Sequence, residues 1–388
     1  MLLPLAALIA VVPVVTGFVS VARNRLVAGW PVSLWDAASG LPPALGIAGL
    51  PPALGIAGLL PALGIAGAAL LLAGAVGRRP SWALVGAAVI SAGLSWVGGR
   101  YAAGVAISAP GSRVAFAAGF WLMQGGCVLV AVEAARRLGA RGALLGVLLF
   151  AGPVGVLLQT GALSELSLLR EYANKRDVIG PAFLRHIGIV TASVIPTLAI
   201  GVPLGVACHR FPRLAGGVFP ALGLVQTIPS IALFGLLMAP LSSLAARFPA
   251  LEQAGISGIG LAPAVIALVL YSLLPITRNT TAGLAGVPAA VRDAAIGLGM
   301  RPAQVFWQVD IRLALPALVA GLRVTLVQAV GLAAVAALIG AGGLGAIMFD
   351  GLFTGAVDLV LLGALPIIAL AVAIDLLLRA AVPRAIPG

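Results

Sequence analysis

The chain has 388 residues, of which 61% are hydrophobic and only 9% are charged, a composition that excludes an ordinary soluble globular protein and indicates a polytopic membrane protein. The formal net charge of +12 would fit nucleic-acid binding in a soluble protein, but the basic residues lie between apolar runs rather than along one polar face. We therefore interpret the charge as a signal of membrane topology and expect no nucleic-acid partner.

Apolar runs of about the length of a bilayer crossing recur along the chain. Because a membrane helix needs about 20 apolar residues, they predict an all-α polytopic helix bundle of about ten spans. The predicted spans are residues 2–22, 59–76, 82–97, 114–135, 143–158, 187–208, 214–237, 261–276, 324–339 and 359–378. The first run has no basic segment before it, so we interpret it as a membrane helix rather than a cleaved signal peptide.

The first five runs form an N-terminal block, residues 1–161, which contains a tandem repeat at residues 41–67. Three near-identical nonapeptides follow one another there. Nine residues make about two and a half helical turns, so successive copies do not build one continuous apolar face. We favour a neutral expansion of the loop and the start of the second span. A kinked re-entrant hairpin is the alternative, since irregular backbone survives in a membrane where protein covers it.

A polar connector, residues 162–186, separates this block from the C-terminal block, residues 187–388. The charged residues of the connector are Glu165, Arg170, Glu171, Lys175, Arg176, Asp177 and Arg185. Pro181 is placed to begin the next helix in its first turn, where its missing N–H has no intrahelical partner to lose. The connector is therefore predicted to be a loop or an amphipathic segment.

Arginine placement orients the C-terminal block, because loops rich in basic residues stay on the cytoplasmic side. In one orientation only Arg247 lies outside. The arginines then inside are Arg210, Arg213, Arg278, Arg292, Arg301, Arg312, Arg323, Arg379 and Arg384. The arginines of the N-terminal block give no comparable bias, so its orientation follows from counting spans.

Polar residues inside the spans of this block are candidates for a translocation path, because such residues are costly in a membrane unless they are paired. The candidates are Gln226, Thr227, Pro229, Ser230, Tyr271, Asn279 and Gln328. The alternative is that they hold neighbouring helices together or bond their own backbone. Pro229 is expected to kink the span 214–237.

The loop 277–323 is polar and is predicted to be cytoplasmic. Pro288 can begin a helix, and the run 289–298 favours one. Gly299 can end this helix in a left-handed cap, and Pro302 can begin another. The sequence therefore predicts a short helix, a tight turn and a second helix, forming a rigid elbow that can transmit the motion of a partner.

Three features of this elbow match one known family: Asp293-Ala294-Ala295, a glycine six residues after the acid at Gly299, and Leu315-Pro316. Together they resemble the cytoplasmic loop of ABC-type import permeases, on which a separate ATPase docks. The family usually has glutamate in place of Asp293, and Leu-Pro where this chain has Ile311-Arg312. The resemblance implies that the residues coupled to the ATPase are Arg292, Asp293, Ala294, Ala295, Gly299, Arg301, Pro302 and Trp307.

Further segments extend the match over residues 183–378. Pro229-Ser230, the run 270–280 and Gln328 resemble the osmoprotectant branch, which carries glycine betaine, choline and carnitine, and the glycine run 339–345 fits the same family. The resemblance implies a C-terminal five-span permease core and a subunit of an ATP-driven importer for quaternary amines. An importer of methionine or another amino acid is the alternative; a secondary carrier or an integral-membrane enzyme is the alternative from another class.

The resemblance also implies partners and a location. The partners are a cytoplasmic ABC ATPase that uses ATP and Mg, a periplasmic or lipid-anchored solute-binding protein, and a second permease copy or paralogue. The implied location is the bacterial inner membrane, with lipid around the spans. No Gly-x-x-x-x-Gly-Lys-Ser/Thr loop occurs, so no cofactor is expected on this chain. Neither a Ser/His/Asp arrangement nor metal-ligand spacing occurs, so no catalytic or metal site is expected, and this chain is not expected to be an enzyme.

Overall fold

The computed structural model describes residues 16–24, 29–39, 79–253 and 255–381, and most of them are helical. The chain divides into two compact units, residues 1–174 and residues 175–388. The repeat at 41–67 and the predicted span 59–76 lie outside the described residues, as does most of the predicted span 2–22.

The first unit combines a small antiparallel sheet with membrane-length helices. Its strands are β1 (Val19–Ala22), β2 (Trp30–Val32) and β3 (Arg113–Phe116), in the order β2-β1-β3. Its helices are α1 (Leu34–Ser39), α2 (Pro80–Ser108), α3 (Ala118–Leu138) and α4 (Ala140–Gln159).

This sheet corrects two predicted spans. Val19–Ala22 is a strand rather than the end of a membrane helix, and β3 occupies the start of the predicted span 114–135, so helix α3 begins only at Ala118. Both segments are apolar and contain β-branched or aromatic residues, and short apolar runs of this kind do not distinguish a strand from a helix. The pairing of Val19 with both Val32 and Phe116 buries Val19 completely.

Helix α5 (Ser167–Arg210) crosses the boundary between the units and includes most of the segment predicted as a connector. The helix begins well before residue 187, and Pro181 lies inside it rather than at its start. A proline inside a helix removes one hydrogen bond without ending the helix when packing supports the remainder. The polar side chains before Pro181 find partners, as in the Lys175–Asp350 ion pair (3.2 Å).

The other helices of the second unit are α6 (Pro212–Thr227), α7 (Ser230–Arg247), α8 (Pro249–Gln253), α9 (Leu261–Ala285), α10 (Ala289–Gly297), α11 (Pro302–Ile339), α12 (Leu344–Thr354) and α13 (Val357–Ala381). Helix α11 contains a π-helical turn at Val305–Asp310 and ends in a 3-10 turn at Ala336–Ile339. The predicted span 214–237 is not one helix, because the chain is extended at Ile228 and Pro229, between α6 and α7.

Seven helices in the described part of the chain are long and apolar enough to cross a membrane: α2, α3, α5, α7, α9, α11 and α13. The apolar stretch Leu145–Gln159 within α4 is shorter, and α6 has only 16 residues. The predicted helical membrane bundle is confirmed. The described spans number fewer than the predicted ten, because two predicted spans lie mainly in segments outside the description and the apolar stretch of α4 is shorter than a full span.

Close packing of α5 against α9 depends on two glycines. The hydroxyl of Thr281 donates to the Gly205 carbonyl (2.9 Å), and Thr277 donates to the Gly201 carbonyl (3.3 Å). Small residues four apart let membrane helices approach closely, and interhelical hydrogen bonds then add to the packing. A Cβ atom on residue 205 would come within 2.6 Å of the Thr280 Cβ.

We expect Gly205→Leu to lower the stability of the protein in detergent by about 1–3 kcal/mol, because the added side chain forces α5 and α9 apart. Thermal unfolding followed by size-exclusion chromatography measures the loss. Gly188→Leu on the same helix is the matched control, since a Cβ there meets nothing within 4 Å. Equal thermal stability of the two variants would contradict this account of the α5–α9 contact.

Candidate functional site

The elbow between α9 and α11 has the form that the sequence predicts. Pro288 caps the nine-residue helix α10, and Gly299 lies in the left-handed region at φ +81°. The Gly299 N–H donates to the Ile296 carbonyl (2.9 Å), and the Met300 N–H donates to the Ala295 carbonyl (3.2 Å). These bonds satisfy carbonyl groups that the end of a helix leaves unpaired. The predicted helix, left-handed glycine cap and new helix start are confirmed.

Arg292 joins three elements at the elbow. Its Nε donates to the Asp310 Oδ1 (2.6 Å), and its Nη2 donates to the Leu284 carbonyl (2.7 Å). The side chains of Arg292 and Asp310 are 27% and 15% exposed. Because hydrogen bonds between charged groups are stronger than neutral ones, and water is partly excluded here, Arg292 connects α10 to the last turn of α9 and to α11.

The π-helical turn of α11 carries Asp310, which pairs with Arg292, and Phe306, which contacts a second arginine, Arg210. Asp310 ends the turn, and the guanidinium of Arg210, at the end of α5, lies 4.9 Å from the centre of the Phe306 ring. A π turn carries an extra residue and so redirects the side chains that follow it. The end of α5 therefore contacts the same π-helical turn that Arg292 of the elbow contacts.

Sequence reasoning did not select Asp310, Phe306 or Arg210. One signal was available for Asp310, because Asp293 and Asp310 are the only acids between Glu252 and Asp350. An isolated acid in an arginine-rich segment indicates an ion pair, although its partner depends on the fold. No signal in the sequence pointed to the contact between Arg210 and Phe306.

One side of the elbow exposes large apolar groups. Ile296 is 60%, Leu298 85% and Trp307 66% exposed. Asp293, Ala294, Arg301 and Pro302 are exposed as well, and the Arg301 N–H donates to Oε1 of Gln304 (2.8 Å). Ala295 is buried in its own chain, so of the two small residues only Ala294 is accessible to a partner. Exposed apolar groups in a polar segment are typical of an interaction surface.

Among the candidate path residues, Gln226 and Tyr271 form one cluster at the break between α6 and α7. The Gln226 Nε2 donates to the Tyr271 carbonyl (2.8 Å), and the Tyr271 hydroxyl donates to the Ile228 carbonyl. Pro229 and Ser230 complete the break, with Ser230 as the first residue of α7. These bonds hold an extended segment against α9, and they satisfy carbonyls that would otherwise be costly inside a membrane.

The other candidates do not share hydrogen bonds with this cluster in the described ranges. Thr227 donates to the Leu224 carbonyl of its own helix (2.7 Å), and the Asn279 Nδ2 donates to the Pro275 carbonyl (2.8 Å). Both bonds fit the packing interpretation. Gln328 lies partly exposed on α11, next to the exposed Val324 and Val327. The part of the chain that the structure describes therefore leaves that face of α11 uncovered.

We expect Tyr271→Phe to destabilise the protein in detergent by about 1 kcal/mol, because the Ile228 carbonyl at the break loses its donor. The measurement is the thermal midpoint in detergent, with Tyr172→Phe, at an exposed tyrosine of α5, as the control. Unchanged midpoints for both variants would contradict a structural role of the Tyr271 hydroxyl.

Comparisons with known proteins show the family of this chain. Residues 197–387 match the family described as "Binding-protein-dependent transport system inner membrane component". Residues 1–169 match "ABC transporter permease YehY, N-terminal domain".

Relatives with the same kind of name cover about half of the chain. "Osmoprotectant import permease protein OsmW" of Salmonella typhimurium is 44% identical over 199 residues, which are 50% of this chain and 86% of the relative. "Glycine betaine/carnitine/choline transport system permease protein OpuCD" of Bacillus subtilis is 34% identical over 208 residues, covering 53% of this chain and 84% of the relative. Among solved structures, an inward-facing MetNI methionine ABC transporter chain matches 54% of this chain and 99% of its own length, at 23% identity and a TM-score of 0.43.

Proposed function

Because this chain belongs to the family of binding-protein-dependent transport system inner-membrane components, we propose that it forms the membrane path of an ATP-driven importer for quaternary-amine osmoprotectants. Glycine betaine, choline and carnitine are the solutes named for its relatives. The chain itself is a multi-pass transport subunit of the bacterial inner membrane rather than an enzyme.

The observation that supports the proposal most directly is the link from the elbow to two membrane helices. Through Arg292, the short helix α10 is bonded to the end of α9 and to Asp310 at the start of α11. A push on α10 therefore reaches α9 and α11 together, instead of being absorbed by a flexible loop. Transmission of this kind requires a rigid connection between the site that is pushed and the element that moves.

The proposed motor is a cytoplasmic ABC ATPase that docks on the exposed side of the elbow. Ile296, Leu298 and Trp307 supply the apolar contacts, and Asp293 and Arg301 supply charges around them. Tryptophan and arginine are among the residues that contribute most to binding when a partner buries them, which favours Trp307 and Arg301 as the main contacts. ATP and Mg are used by that separate chain, and its closure provides the force on α10.

The proposed path lies between this chain and a second copy or a paralogue. The face of α11 with Val324, Val327 and Gln328 is uncovered within the described ranges, and a second permease subunit would bury it. The break at Ile228-Pro229 is proposed to be part of that path, with its extended backbone held in place by Gln226 and Tyr271. A solute-binding protein outside the membrane is proposed to deliver the solute.

Uptake by reconstituted vesicles tests the proposal. The chain is combined with a candidate ATPase and a candidate solute-binding protein, and radiolabelled glycine betaine is supplied on the side of the binding protein. We expect accumulation that requires ATP and is competed by unlabelled choline or carnitine, but not by methionine. Competition by methionine alone would indicate an amino-acid importer instead of a quaternary-amine importer. Accumulation without the ATPase would contradict the proposed mechanism.

A further inference from the structure

The sheet of the first unit is held at a membrane surface by its connections. Helix α2 ends at Ser108, β3 occupies Arg113–Phe116, and helix α3 begins at Ala118. Both helices are long and apolar enough to span the membrane. Because β3 joins two spans through short links, it has to lie where these spans leave the bilayer. Strands β1 and β2 pair with β3 in one sheet, so the whole sheet lies at this surface.

Helix α1, which follows edge strand β2, packs beside the end of α2 rather than beyond it. Ala37 of α1 belongs to the same buried cluster as Val97, Tyr101 and Val105 of α2. Those residues fall within the last four turns of α2, which has 29 residues. A helix of that length measures about 43 Å, whereas the hydrocarbon core is about 30 Å thick. Because β3 follows the end of α2 directly, α1 packs beside the end of α2 that leaves the bilayer.

The segment Trp30–Ser39 contains two buried aliphatic side chains and two strongly exposed aromatic ones. Val32 is 5% and Ala37 is 6% exposed, whereas Trp30 is 64% and Trp35 is 77% exposed. Ser33 fixes the start of α1, because its Oγ donates to the Asp36 Oδ2 (2.7 Å) and accepts from the Asp36 N–H (3.1 Å). Two large aromatic side chains are thus directed outward by a short, well-defined scaffold.

We propose that the segment Trp30–Ser39 is a lipid anchor, with the Trp30 and Trp35 indoles inserted among the headgroups of the bilayer. Tryptophan favours this layer because its ring is largely apolar while its N–H needs a polar partner. The depth of α1 beside α2 selects lipid as the occupant, since a protein that docks from solution reaches groups above the membrane surface. Ile107, on the last turn of α2, is also strongly exposed, at 80%.

Fluorescence quenching of the full-length chain in lipid bilayers tests the anchor. The chain has six tryptophans, and a variant retaining only Trp35 is made by changing the other five to phenylalanine. In vesicles of phosphatidylcholine brominated close to the headgroup, we expect Trp35 to lose most of its emission. Iodide in the surrounding water is expected to quench Trp35 weakly. A matched variant retaining only Trp307, which is also well exposed, is expected to respond to iodide and not to bromine.

Strong quenching of Trp35 by iodide without quenching by brominated lipid would overturn the proposal. Quenching that changes only when the solute-binding protein is added would also overturn it, in favour of a protein contact. Should the single-tryptophan chain fail to fold, a nitroxide on Trp35→Cys in the otherwise unchanged chain gives the same depth measurement, since Cys127 and Cys208 are buried. Greater collision with oxygen than with a water-soluble nickel complex is expected, and the reverse order would overturn the anchor.

Discussion

Solute uptake is expected to fall at least about tenfold when Arg292 is replaced by methionine, while the ATPase still binds and hydrolyses ATP; a tenfold effect corresponds to about 1.4 kcal/mol. The substitution leaves the partly buried Asp310 without its ion pair, and the Leu284 carbonyl loses its charged donor and keeps only backbone donors such as the Val287 N–H (3.4 Å). Loss of one partner from such a group costs about 1–3 kcal/mol. The apolar docking surface is unchanged, so the ATPase still binds the elbow. Motion of α10, however, no longer moves α9 and α11 together. Uptake and ATP hydrolysis measured in the same vesicles give the ratio of solute moved per ATP.

Arg312→Met is the matched control for this prediction. Arg312 is an exposed arginine at the start of the same membrane-spanning segment, and it makes no hydrogen bond or ion pair with the described ranges of the chain. We expect it to retain uptake, and we expect Arg292→Lys to be intermediate, because lysine keeps the charge but lacks the planar fork of donors. An Arg292→Met variant that still moves solute with the normal ratio would contradict the linking role of Arg292.

Gly299→Val is expected to abolish copurification of the ATPase. Gly299 has φ +81°, and a Cβ at this position meets nothing within 4 Å. The effect therefore comes from the backbone, since a left-handed conformation costs an ordinary residue about 1–2 kcal/mol and a β-branched residue more. Relief of that strain changes the angle between α10 and α11, and with it the relative positions of Leu298 and Trp307. Affinity purification of the tagged permease with its ATPase measures the loss.

Gly299→Asn separates backbone strain from the presence of a side chain. Asparagine is comparable in size to valine but adopts the left-handed region far more readily. The Asn variant is expected to keep most of the bound ATPase. If Asn and Val abolished binding equally, the side chain itself would be blocking the partner and the glycine cap would not be the cause.

The elbow could be predicted from the sequence because its signals are local. Pro288, Gly299 and Pro302 each restrict the backbone at their own position, and a helix between them follows from three residues. The link through Arg292 could not be predicted, because Asp310 lies in a π-helical turn and Leu284 contributes a backbone carbonyl. Both contacts depend on how α9, α10 and α11 pack against one another. No fixed spacing of residues in the sequence predicts that packing.

The spans of the second unit could be predicted where an apolar run is uninterrupted, as in α9 and α13. The run 214–237 is equally apolar, yet the backbone is extended at Ile228-Pro229, because Tyr271 and Gln226 supply hydrogen bonds that a lone helix lacks. Pro181 shows the opposite case, since α5 continues through it. Whether a proline ends a helix depends on tertiary partners. The position of a proline in the sequence therefore predicted neither the break at Pro229 nor the continuous helix through Pro181.

The sheet of the first unit escaped prediction for a related reason. Val19–Ala22 ends an apolar run long enough for a span, and β3 begins another. Hydropathy alone does not distinguish a strand paired within a sheet from a helix in lipid, because both bury apolar side chains.

Chemical labelling of Leu298→Cys tests the central claim, that a separate ATPase binds the elbow from the cytoplasmic side. Leu298 is 85% exposed, whereas Cys127 and Cys208 are buried, so a membrane-impermeant maleimide reports on the introduced thiol. We expect labelling in inside-out vesicles, none in sealed right-side-out vesicles, and protection when the ATPase is bound. Labelling from the outer side, or labelling that the bound ATPase does not reduce, would contradict the account.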